Sequence, residues 1–140
     1  MRYPEPAYCI MKLFIAVTIV FTIESCNAKN NNYYTKTDAI DISNYSIPDS
    51  TGVFDTIRIG AHAEEPNGCW GNLNFVLSKT KDFEYKLKAF GTFVNNGEAC
   101  PNVMVFKDTF INFSPSQAGV YFFYISNTPS TMIIDSLIVR

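Results

Sequence analysis

One histidine and four cysteines carry most of the chemistry this chain could do: His62, Cys9, Cys26, Cys69 and Cys100. A zinc centre needs about four Cys, His or carboxylate ligands, usually with at least one closely spaced pair. No Cys-x-x-Cys occurs, Cys69 and Cys100 are far apart, and His62 has no second histidine to work with. No metal centre and no cofactor is therefore expected. A Ser-His-Asp hydrolase would have to use His62. Neither Gly-x-Ser-x-Gly, a P-loop, Gly-x-Gly-x-x-Gly nor His-Glu-x-x-His is present. Paired carboxylates for glycoside hydrolysis would need a cleft, for which so small a domain has little room. No catalytic residue is expected, and the chain is not read as an enzyme.

The stretch Met11–Cys26 (MKLFIAVTIVFTIESC) opens with Lys12 and continues as the uncharged apolar run Leu13–Ile23. That run falls short of the roughly 20 apolar residues of a bilayer-spanning helix and suits the helical core of a signal peptide. It resembles the signal of a bacterial lipoprotein, whose lipobox has an aliphatic residue three before a cysteine and a small one just before it. Ile23 and Ser25 stand at those positions, with Glu24 between them. The resemblance implies removal of residues 11–25, lipidation of Cys26, and attachment to the membrane through the lipid anchor. The domain would then belong to the cell envelope, facing the periplasm or the cell exterior. A buried helix in a soluble protein and a cleaved signal without lipid are the other readings. Residues 1–10 (MRYPEPAYCI), broken by Pro4 and Pro6, read as an extension upstream of a start at Met11, which would remove Cys9 from the product.

The remaining residues need a scaffold. Residues 26–50, rich in Asn, Ser, Asp and Lys, read as a polar tether, with Asp38–Tyr45 open to a reading as an edge strand. Residues 51–140 read as strands. Val53–Ala63 puts Ile57, Ile59 and Ala61 on one face and Arg58, Gly60 and His62 on the other. Leu73–Lys79 sets Leu73, Phe75 and Leu77 against Asn74, Val76 and Ser78. Phe83–Val94 sets Phe83, Tyr85, Leu87 and Ala89 against Glu84, Lys86 and Lys88. A period of two is the side-chain alternation of a strand. Val103–Phe106 and Thr109–Phe113 read as short strands around Lys107-Asp108, followed by Val120–Ile125 and Thr131–Val139. About seven short strands and no helix after the signal predict an all-β fold, an antiparallel β-sandwich.

Ser116–Phe123 (SQAGVYFF) resembles the entry to strand F of immunoglobulin-like domains. Gly119 and Tyr121 match its Gly-x-Tyr, while Gln117 stands in place of the usual Asp and Phe123 in place of the strand cysteine. The resemblance implies an immunoglobulin-like sandwich with a tyrosine-corner hydrogen bond, and nothing about ligands.

Cys69 and Cys100 lie in two loops, Glu64–Asn72 and Asn95–Asn102, that flank one predicted hairpin, so both fall at the same end of the sheet. In an exported chain this pair is expected to form a disulfide. The Trp70 ring is expected to pack over that bridge or cap the end of the sandwich. Its functional alternative is an exposed aromatic on a loop-bearing binding surface shared with Glu64, Glu65, Asn67, Glu98 and Asn102. These carboxylates lack EF-hand spacing and read as solvated charge rather than a calcium site. Outward Val76, Phe90 and Val94 offer an alternative contact surface.

A formal net charge of −2 supports neither nucleic-acid binding nor a basic membrane-binding surface. The expected function is that of a membrane-anchored envelope lipoprotein with a non-catalytic interaction or structural domain, contacting an envelope protein or a glycan. An inhibitor or ligand-capturing sensor in the same compartment is the alternative.

Overall fold

The computed structural model describes residues 33–128 and 131–140. The expected upstream extension, signal helix and Cys26 lie outside them. Among the described residues nine strands follow in order: β1 (Tyr34–Ile40), β2 (Ile42–Ser46), β3 (Ser50–Thr51), β4 (Ile57–Glu65), β5 (Trp70–Lys81), β6 (Glu84–Asn95), β7 (Val105–Phe113), β8 (Gly119–Thr128) and β9 (Thr131–Val139). No helix occurs among the described residues. The described residues are all-β, with two sheets in a sandwich-like arrangement.

The larger sheet is built on β6. One edge of β6 pairs with β5. The other is shared: β1 lies along Ala89–Asn95 and β8 along Glu84–Leu87. Beyond β8 come β9 and the short β3, while β2, β4 and β7 form the smaller sheet. The alternation read from the sequence fixes the faces. Leu87 and Ala89 of β6 are buried, as are Ile59, Ala61 and Ala63 of β4 and Phe123 and Ile125 of β8. Between the sheets, Tyr85, Tyr121, Phe113 and Phe123 form one aromatic cluster. The Phe113 ring of β7 sits edge-on to Tyr85 at 4.9 Å and to Phe123 at 5.3 Å. Edge-to-face contact sets the positive rim of one ring against the negative face of another, adding to the apolar burial.

The turn into β8 holds by two local devices. The Tyr121 hydroxyl donates to the Gln117 carbonyl at 3.0 Å, and the Gln117 N–H donates to the Tyr121 hydroxyl oxygen at 3.3 Å. This is the corner geometry the Gly-x-Tyr motif implied. Gly119 takes φ of +152°, and a Cβ there would lie 2.9 Å from the Phe83 ring, so a side chain has neither the torsion nor the room.

Several expectations need correction. Within the expected tether, Tyr34–Ile40, Ile42–Ser46 and Ser50 are strand, as the alternative reading of Asp38–Tyr45 had it for part of this stretch; β1 and β2 are held mainly by backbone ladders and bury little beyond Ile40 and Ile42. Ile40 pairs with Ala89 in one sheet and Ile42 with Ala63 in the other, so the chain changes sheets at Asp41 with both isoleucines in the core. The two strands expected around Lys107-Asp108 are one. As β7 pairs among the described residues only with β4, its charged residues reach water without breaking the ladder. The strand expected from Val53 starts at Ile57, after a turn in which the Gly52 N–H donates to Asp55 Oδ2 and Phe54 adopts φ of 67°. The sheets are not purely antiparallel either: β6–β8 and β3–β9 are parallel. Parallel neighbours need a crossover, and here the chain passes through β7 of the other sheet between β6 and β8.

Candidate functional site

Strand alternation decides which side chains of the smaller sheet meet solvent. With Ile59, Ala61 and Ala63 turned inward, Arg58, Gly60, His62 and Glu64 fall on the outer face. The register then fixes their neighbours. His62 lies between Asn44 and Asp108, Gly60 between Ser46 and Phe110, Arg58 beside Asn112, and Glu64 beside Phe106. Gly60 leaves a notch in this surface: a Cβ there would stand 2.5 Å from Ser46 Oγ and 3.5 Å from the Phe110 ring. The result is a shallow groove of about 210 Å³, bordered by Asn44, Ser46, Gly60, His62, Asp108 and Phe110. Phe106 and Phe110 are 63% and 65% exposed. The two rings border the polar groove on its β7 side.

The charges of this face are organised around His62. Its Nδ1–H donates to Asp108 Oδ1 at 2.7 Å, and Nε2 faces Glu64 Oε2 at 3.5 Å. The imidazole also lies nearly parallel to Phe106, with centroids 6.1 Å apart. The Arg58 guanidinium sits 5.0 Å from the Phe110 centroid, a cation–π arrangement. A hydrolytic triad needs a hydroxyl or thiol at the second imidazole nitrogen, and here a carboxylate occupies that side. Among the described residues, no three His, Cys, Asp or Glu side chains converge in an arrangement that could hold a metal ion.

The hydrogen bond to Asp108 holds the His62 pKa above its ordinary 6.5, aided by Glu64 and opposed by burial. A raised histidine pKa means that the folded state binds the proton more tightly than the unfolded chain does. Its contribution to stability is therefore complete below pH 6.5 and is lost as pH rises through the folded pKa. Because His62 is the sole histidine, its Cε1–H resonance can be followed without assignment. The expected midpoint lies above 6.5 and falls in Asp108→Asn; a midpoint at or below 6.5, unmoved by that substitution, would refute the pairing.

The predicted loop-end residues are divided by the structure. The Cys69–Cys100 disulfide is formed, with Cα atoms 5.2 Å apart. It joins the β4–β5 and β6–β7 loops at one end, where the Gly68 N–H also donates to the Pro101 carbonyl at 2.8 Å. Trp70 is half-buried, edge-on to Phe93 at 5.4 Å, and therefore serves packing. Asn67 is used within its own turn, where Oδ1 accepts the Cys69 N–H at 3.1 Å. Glu64 and Glu65 are successive strand residues and point to opposite faces. Glu64 joins His62 on the groove face. The Glu65 carboxyl is pushed above its ordinary range by burial and by the nearby Asp41. Glu98 and Asn102 remain exposed on the second loop. On the larger sheet, Val76 is exposed, while Phe90 and Val94 are half-buried.

Sequence reasoning missed Asn44, Ser46, Asp108, Phe106 and Phe110 as neighbours of His62. The available signal was the shared parity of Phe106, Asp108 and Phe110. A strand placing an acid between two phenylalanines on one face has either a buried acid or exposed rings. Comparison with known proteins finds no matching family model, curated protein or solved structure.

Proposed function

We propose that the chain is an exported envelope lipoprotein, held to the membrane through Cys26, whose β-sandwich binds a partner without catalysis. The observation that carries the binding role is the groove face of β2, β4 and β7, where exposed Phe106 and Phe110 flank the His62–Asp108 pair. Its volume of about 210 Å³ lies below the roughly 300–1,000 Å³ of an enclosed small-molecule site. That favours contact with part of a larger partner over capture of a whole small ligand. The disulfide supports an oxidising compartment, in keeping with the apolar leader and the Ile23-Glu24-Ser25-Cys26 motif. Kinship with immunoglobulin-like sandwiches belongs to the same reading. The Tyr121 corner and the parallel β3–β9 edge favour it, and the parallel β6–β8 pair is a departure.

Two measurements test the two halves. Mass spectrometry of the membrane fraction is expected to find a mature chain beginning at acylated Cys26. A chain that begins elsewhere, or lacks acyl mass there, removes the anchor. A photo-crosslinking residue at position 110 in intact cells is expected to give a defined adduct that the same residue at exposed position 81 does not. Equal labelling, or none, removes the groove as the contact surface.

A further inference from the structure

We propose that the groove on the smaller sheet binds one pyranose ring of a neutral polysaccharide chain. The inference rests on the binding role assigned to this face and names the class of its partner. Size is the first argument. A groove of about 210 Å³ floored by Gly60 has room for one sugar ring, and its shallowness leaves neighbouring units of a polymer in solvent. Polarity is the second. A pyranose offers an apolar C–H face and a rim of hydroxyls, each able both to donate and to accept. Phe110, 65% exposed, supplies a π-face for the C–H groups. The Asn44 amide, Ser46 hydroxyl, His62 ring and Asp108 carboxylate supply mixed donors and acceptors along the opposite and end walls.

Charge is the third argument and selects a neutral sugar. The Asp108 carboxylate is already bonded by His62 at 2.7 Å, and Glu64 lies on the other side of that ring at 3.5 Å. Arg58 stacks on Phe110 and does not line the groove. Two carboxylates beside one imidazole repel an anion, and the His62 bond occupies the Asp108 oxygen that a cation would seek.

The test titrates the full-length protein with cellohexaose, mannohexaose, galactohexaose and chitohexaose, with hexagalacturonate and a basic peptide as charged comparators. The His62 ring resonance is the reporter. At least one neutral hexasaccharide is expected to shift it saturably, with Kd on the order of 1 mM or tighter. Gly60→Ala should weaken that binding about tenfold or more, because the new methyl would displace the Ser46 hydroxyl from its place on the groove wall. Its closest neighbour, Ser46 Oγ, ends a rotatable side chain that can turn aside, so the fold can accept the methyl. Phe110→Ser removes the platform from an exposed position and should abolish binding, with an unchanged thermal midpoint as the control for folding. Failure of every neutral hexasaccharide, binding only of a charged comparator, or full affinity in both variants would overturn the proposal. A position-110 crosslink to protein alongside failed sugar titrations would remove the ligand class and leave the binding role standing.

Discussion

Phe123→Ala is expected to lower the unfolding free energy by about 3–5 kcal/mol, the range for removing a fully buried aromatic ring. Phe123 is 0% exposed and lies within 5.7 Å, centroid to centroid, of both Tyr85 and Phe113. Those rings come from both sheets, so the cavity would open between the layers, where neither can move inward without breaking its ladder. Domains of this size have total stabilities of about 5–15 kcal/mol, so the loss is a large fraction of the whole. The adjacent Phe122→Ala is the internal comparison. Phe122 points out of the larger sheet and is 41% exposed, so its loss should cost well under half as much. Urea unfolding followed by near-UV circular dichroism measures both. Equal costs for the two variants would refute the assignment of faces on β8.

Removing the Cys69–Cys100 bridge should cost about 3–4 kcal/mol by the loop-entropy relation for a crosslink of this span. The bridged residues are 31 apart in sequence, and the loop they close contains the whole β5–β6 hairpin. Most of the effect lies in the unfolded chain, which gains the freedom the crosslink removes. The native end is also held by the Gly68–Pro101 and Val94–Cys69 backbone bonds, both 2.8 Å. The double substitution Cys69→Ala with Cys100→Ala should therefore fold to the same structure with a lower urea midpoint. Under denaturing, non-reducing conditions the wild-type bridge should protect both thiols from alkylation. Alkylation of both would show that the bridge does not form in the protein, and a loss below about 1 kcal/mol would show that its loop was already constrained when unfolded.

The two predictions rest on different kinds of sequence information. Phe123 and its neighbours were legible because Val120–Ile125 is an apolar run and Phe83–Val94 alternates cleanly, so burial and local pattern agree. The disulfide was legible because one hairpin separates two loops, which makes their common end a matter of topology. β1 was harder to read: only Ile40 of Tyr34–Ile40 is buried, and backbone pairing leaves no mark on composition. β7 failed for the opposite reason. Its exposed Phe106 and Phe110 and its outward Asp108 share one face, which blurs the apolar–polar alternation a half-buried strand usually shows. The groove depends on a register linking residues 44, 62 and 108, and no local pattern specifies partners so far apart. Gly60 carried a faint signal, since a glycine inside a strand often admits the close approach of something else.

The shared edge of β6 also governs when the molecule can finish folding. β1 has no sheet to join until β6 has followed it, and β3 waits for Ile138 and Val139 of β9. Such distant closures sacrifice chain entropy before any contact rewards it, which places folding among the slower, millisecond-to-second processes of small domains. For a chain exported as proposed, that delay is useful. β1 and β3 would stay unpaired while such a chain is threaded through a translocation pore, and β9 would seal the sandwich once it has crossed.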